Sequence, residues 1–155
     1  MTFQIQALDP KPFAALFDMD NATLAAHNAR RVSVDANPCY PCRISLQDAA
    51  LGEEIILTNY THQPAASPFQ ANHAIYIRKN VPMATPAPNE VPDMFKGRLA
   101  SVRGFDAQDE ICKADVVNGT SLADRLTQFF EDPAVRYVHI HNAKLGCFMA
   151  SALRV

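Results

Sequence analysis

Nine short segments of this chain alternate apolar with polar or β-branched residues at a period of two, and few helical patterns separate them. They fall near residues 2–7, 30–35, 42–46, 54–60, 73–78, 99–105, 110–117, 135–141 and 147–154. Successive side chains of a strand face opposite sides of its sheet, so this pattern predicts strands with one buried face. Strands that follow one another without long crossovers pair antiparallel. The expected fold class is α+β: a mostly antiparallel sheet, one main helix packed on it, and a C-terminal β-hairpin.

That main helix is expected over residues 121–131. Ser121 stands at its start, Leu122, Leu126, Phe129 and Phe130 recur at helical spacing, and Pro133 stops it. Asp20 is placed to cap a short helix over 20–26, with His27 complementing the dipole at its end, and Pro12–Phe17 suits one or two further turns. Pro82, Pro86, Pro88 and Pro92 make 81–93 a stiff connecting loop, followed by a short turn through Phe95. With 155 residues and no internal repeat, residues 1–155 are expected to form one domain.

Composition narrows the function classes. Fourteen basic against sixteen acidic residues give a net charge of −2, and no basic run is longer than the pair Arg30-Arg31, so nucleic acid and anionic membrane surfaces are unsuitable partners. Apolar residues make up 48%, yet no window approaches a membrane span, and the first residues carry no export pattern. A cytoplasmic protein is expected. In a reducing compartment four cysteines are read as core, redox or metal residues, not as a disulfide scaffold.

The segment 135–153 is the most informative. Two strands flank Asn142-Ala143-Lys144-Leu145-Gly146, and symmetric closure of that loop would oppose His141 to Cys147 and His139 to Met149. Val138, Ile140, Phe148 and Ala150 would then share a core face. Tyr137, His139, His141, Cys147, Met149 and Ser151 would share a mixed face of the kind that lines a groove.

Several stretches taken in order resemble one family. They are Pro41-Cys42-Arg43-Ile44-Ser45-Leu46, Gly52-Glu53-Glu54 leading into a strand, Asn59-Tyr60-Thr61-His62-Gln63-Pro64, His73-Ala74-Ile75-Tyr76-Ile77-Arg78, and His141-Asn142-Ala143-Lys144-Leu145-Gly146-Cys147. Together they resemble the DUF1203 family of bacterial proteins, whose function is unknown. The resemblance implies that Cys42, Arg43, His62, His141, Asn142, Gly146 and Cys147 matter. Cys39 stands where the family pattern usually has glycine.

These residues suit several chemistries. Cys39-x-x-Cys42 has the spacing of a metal chelate or redox pair, but Arg43-Ile44-Ser45-Leu46 reads as strand, without the helix dipole that activates such a thiol. His139-x-His141 aims two imidazoles to one side, a set for zinc or another transition metal with Cys147 or Cys42 as third ligand. Cys147 beside His141 would also serve as nucleophile and base, although Asn142 would point away from them. Arg43 and Arg103 offer forks for a carboxylate or phosphate. His62 and His73 flank a proline-containing loop, where they cap turns or line a pocket mouth. Cys112, in register with Ala114 and Val116, is expected to be a buried core thiol. The leading expectation is a small-molecule or peptide-binding protein with no resident cofactor, its polar site built from Cys42, Arg43, His62, His139, His141 and Cys147. A Cys-His thiol enzyme and a transition-metal protein, with zinc on His139, His141 and Cys147, are the alternatives.

Overall fold

The structure is a computed structural model describing residues 2–155. In chain order its elements are β1 (Phe3–Gln6), a 3-10 helix (Lys11–Asp18), α1 (Asn21–Ala26), β2 (Ala29–Ser33), β3 (Glu54–Gln63) and β4 (Ala71–Ile77). Next come α2 (Asp93–Lys96), β5 (Leu99–Phe105), β6 (Ile111–Asn118), α3 (Leu122–Glu131), β7 (Tyr137–Asn142) and β8 (Phe148–Arg154). The strands form two sheets instead of one, ordered β1-β8-β7-β5-β6 and β2-β3-β4. Every strand pairing is antiparallel. The α+β class therefore holds, and none of the described helices is long and apolar enough to cross a membrane.

Helix α3 lays Leu122, Leu126, Phe129 and Phe130 on one face of the five-stranded sheet, against Phe3, Ile5, Val102, Val138, Ile140 and Ala152. Its side-chain cap is absent; a 3-10 turn over Gly119–Ser121 feeds the helix instead. A side chain at Gly119 would place its Cβ 1.7 Å from the Phe95 carbonyl oxygen, so only glycine lets this turn approach α2. The expected cap at Asp20 is present, its carboxylate accepting from Thr23 N at 2.7 Å. A second core fills the space between the three-stranded sheet and the N-terminal helices with Phe13, Leu16, Leu24, Ile44, Ile56, Ile75 and Ile77.

Three expectations are corrected. Residues 42–46 do not form a strand. Leu46 N donates to the Cys42 carbonyl at 3.1 Å and Leu46 adopts φ +51°, closing a turn, while Arg43 N bonds the Tyr76 carbonyl. Cys112 is exposed, not core, because β6 is the outer strand of its sheet and its even-numbered residues face solvent.

The third correction concerns the hairpin. His139 opposes Ser151 and Ile140 opposes Ala150, but His141 opposes Phe148, leaving Met149 as an extra residue in β8. A bulge exchanges the faces of the residues beyond it. Met149 therefore joins the core beneath α3, and Phe148 turns to the histidine side, reversing the expected assignment of both.

Candidate functional site

The histidine face of the hairpin is not an open groove, because the end of β3 covers it. A register shift between Tyr60 and Gln63 puts two residues of β3 against one of β4, and His62 lies in that bulge. Its ring stacks on Phe148 with centroids 5.5 Å apart and planes 6° apart. The ring meets His141 at 4.8 Å and His139 at 5.9 Å, both edge to face. Gln63 extends the junction by donating to the Tyr137 hydroxyl at 2.8 Å, and that hydroxyl donates to Asp109 at 2.7 Å.

His62, His139 and His141 are thus brought together from two sheets, all buried, with one ring nitrogen of each within 4.8 Å of the other two. Burial holds all three neutral: the pKa values of His62 and His139 fall to about 4 and that of His141 to about 3, with the Arg103 charge adding to the effect. Three buried ring nitrogens, His62 Nδ1, His139 Nδ1 and His141 Nε2, have no hydrogen-bond partner. A neutral imidazole has one N–H and one lone pair. In His141 the assignment is fixed by the loop, since Nδ1 donates to the Gly146 carbonyl at 2.9 Å and leaves the lone pair on Nε2.

The loop residues implied by the family resemblance acquire a physical role here. Asn142 Oδ1 accepts from Lys144 N at 2.9 Å, and Gly146 N donates back to the Asn142 carbonyl at 2.7 Å. Gly146 adopts φ +82°, a conformation that glycine reaches without strain, and its carbonyl is thereby aimed at His141.

Arg43, Cys42 and Cys147 form a separate cluster. Arg43 is 1% exposed; its Nε donates to the Phe148 carbonyl at 2.7 Å and Nη1 to the Pro41 carbonyl. Burial lowers its pKa, opposed by the neighbouring Cys147 and Cys42 sulfurs. The guanidinium ties β8 to the turn around Pro41, and is not a fork open to a ligand. Cys42 packs in the second core, where its sulfur accepts from Ile44 N. No hydrogen bond joins His141 to Cys147, and His141 Nδ1 is engaged by the Gly146 carbonyl. Cys39 is exposed, and no helix begins at it. His73 pairs with Tyr60 in the sheet and stays outside the triad.

Two cavities lie elsewhere on the protein. One of about 710 Å³ is lined by residues including Ser45, Asp48, Thr85, Glu90 and Lys96. Another of about 680 Å³ is lined by Cys39, Arg98, Asn142 and Lys144 among others. Neither includes a triad histidine.

A family model described as a protein of unknown function, DUF1203, matches residues 39–154. The chain belongs to the DUF1203 family. Neither the curated proteins nor the solved structures contain a match to it. The DUF1203 match takes in all three triad histidines together with Arg43, Cys42 and Cys147, while β1, α1 and β2 precede it. The sequence placed His62 in one polar site with His139 and His141, but for a metal the third ligand was sought among the cysteines. His62 is far away in sequence, and no spacing signals that its strand folds back over β7.

Proposed function

We propose that this DUF1203 protein binds a divalent transition metal through His62, His139 and His141, with zinc the best chemical fit. The observation that carries the reading is the set of three buried ring nitrogens, one from each histidine, that have no hydrogen-bond partner. Leaving such an atom unpaired costs about 1–3 kcal/mol, and one ring nitrogen of each histidine lies within 4.8 Å of the other two, so a group bound among them would stabilise the fold. Neutral imidazole is the form that ligates, and burial already supplies it.

Zinc accepts three histidines and keeps a fourth position for water or an exogenous ligand. Bonds of about 2.0–2.1 Å in a tetrahedron bring the nitrogens to roughly 3.4 Å from one another, so the 4.8 Å spacing would contract by small ring rotations on loading. The fourth position unites this reading with a small-molecule-binding role, since the ligand would be recognised at the metal. A purely structural aromatic cluster is the competing account. It leaves the orphaned nitrogens unexplained.

Elemental analysis of protein purified without a histidine tag tests the proposal. About one equivalent of zinc per chain is expected, lost in His62→Gln and in His139→Gln while far-UV circular dichroism stays unchanged. Protein that carries no metal, and takes none up from micromolar zinc, overturns it.

A further inference from the structure

We infer that the site takes its remaining ligand from a small oxyanion, a carboxylate or a phosphate, gripped at the same time by Arg103. The inference rests on the metal reading above. Arg103 of β5 is the cross-strand partner of His139, and Ser101 is the partner of His141. Directly opposed residues share a sheet face, so the guanidinium and the triad lie on one side of the sheet.

Arg103 is half-buried, and among the described residues its side chain makes one hydrogen bond, from Nε to Ser101 Oγ at 3.3 Å. Among the described residues it forms no ion pair, whereas Arg31, Arg78, Arg98 and Arg125 each meet a carboxylate. Asp109, which meets β7 at Tyr137, is engaged by the Tyr137 hydroxyl. A dication on three neutral ligands beside an unpaired guanidinium would leave three positive charges in a largely desolvated place. An anion is the missing component.

The chemistry of the two hosts selects its class. A guanidinium presents parallel N–H donors that match the paired oxygens of a carboxylate or phosphate, and a zinc-type ion accepts one oxygen of the same group. Ala114, the partner of Arg103 on β6, is small and exposed, and an anion would approach the guanidinium from that side. The triad itself is closed over by Phe148 and β3, which limits the ligand to a small one.

Cobalt(II) substitution reads both levels separately. Metal-stripped protein is loaded with cobalt(II) and its visible absorption recorded, then acetate in one titration and inorganic phosphate in another are added, with Arg103→Gln run alongside. The wild-type spectrum is expected to change with at least one anion. Arg103→Gln should show the same anion-free spectrum and need at least about tenfold more of that anion, the equivalent of one lost charge-assisted bond. Response to acetate alone supports a carboxylate ligand, and response to phosphate alone a phosphate. A cobalt-loaded wild type indifferent to both anions overturns the inference, as does an Arg103→Gln protein that responds equally well. Absence of any cobalt spectrum before anion is added overturns the metal reading, and this inference with it.

Discussion

Acid should destabilise the metal-stripped protein well before its carboxylates titrate. In the unfolded chain a histidine titrates near 6.5, whereas the fold holds His62 and His139 to about 4 and His141 to about 3. Between those limits the unfolded chain binds more protons than the folded one, so stability falls as pH falls. The contribution is complete above about pH 6.5, shrinks through pH 5, and levels off below the folded values. From pH 7 to pH 5 each such histidine removes about 2 kcal/mol by linkage. Protonating one ring opens the cluster to water and releases the others, so about 2–5 kcal/mol is expected for the three together. Total stabilities of 5–15 kcal/mol make that a large fraction. The carboxyls of Glu53 and Asp132 are held below their ordinary values, Glu53, against burial, by Arg78 and the Ala50 N–H and Asp132 by the Ala134 N–H and Lys113, and so do not titrate between pH 7 and pH 5. Urea unfolding followed by circular dichroism at pH 7, 6 and 5, with chelator present, measures the effect, and His139→Gln should reduce its pH dependence. A urea midpoint that is constant from pH 7 to pH 5 would refute the picture of three buried neutral rings.

Two further outcomes stem from burial and close approach. Cys39 and Cys112 are exposed while Cys42 and Cys147 are buried, so a thiol reagent should label two cysteines rapidly and the other two only on unfolding. Equal labelling of all four would contradict the Arg43 cluster. Gly119→Ala drives a methyl into the Phe95 carbonyl, and the melting temperature should drop by an amount corresponding to more than about 2 kcal/mol; an unchanged melt would mean that α2 does not sit against the turn.

The elements that were legible in the sequence are those whose signal is local. Leu122, Leu126, Phe129 and Phe130 reveal α3 because helical period and burial coincide, and Asp20 caps α1 through a residue three places on. What escaped is set by tertiary partners. Met149 carries no mark of a bulge, yet that one extra residue decides that Phe148, not Met149, packs against the histidines. The alternation around Cys112 identifies a strand without telling which side has a neighbour. The site divides in the same way: His139 and His141 are paired by strand period, whereas His62 joins them only because a second sheet folds over the first.

The family-matched range begins at residue 39, but the five-stranded sheet ends on β1, whose residues Phe3–Gln6 pair with Ser151–Arg154. A chain trimmed to the matched range would leave β8 as a bare edge, its outward amides and carbonyls without partners. It would also expose the core that Phe3 and Ile5 now fill beneath α3. Such an edge is a template for joining another molecule's strand. With β1 in place the edge passes to Phe3–Gln6, where Asn89 donates its N–H to the Phe3 carbonyl and accepts from Phe3 N through Oδ1, so trimming would exchange an edge that the loop partly covers for a bare one.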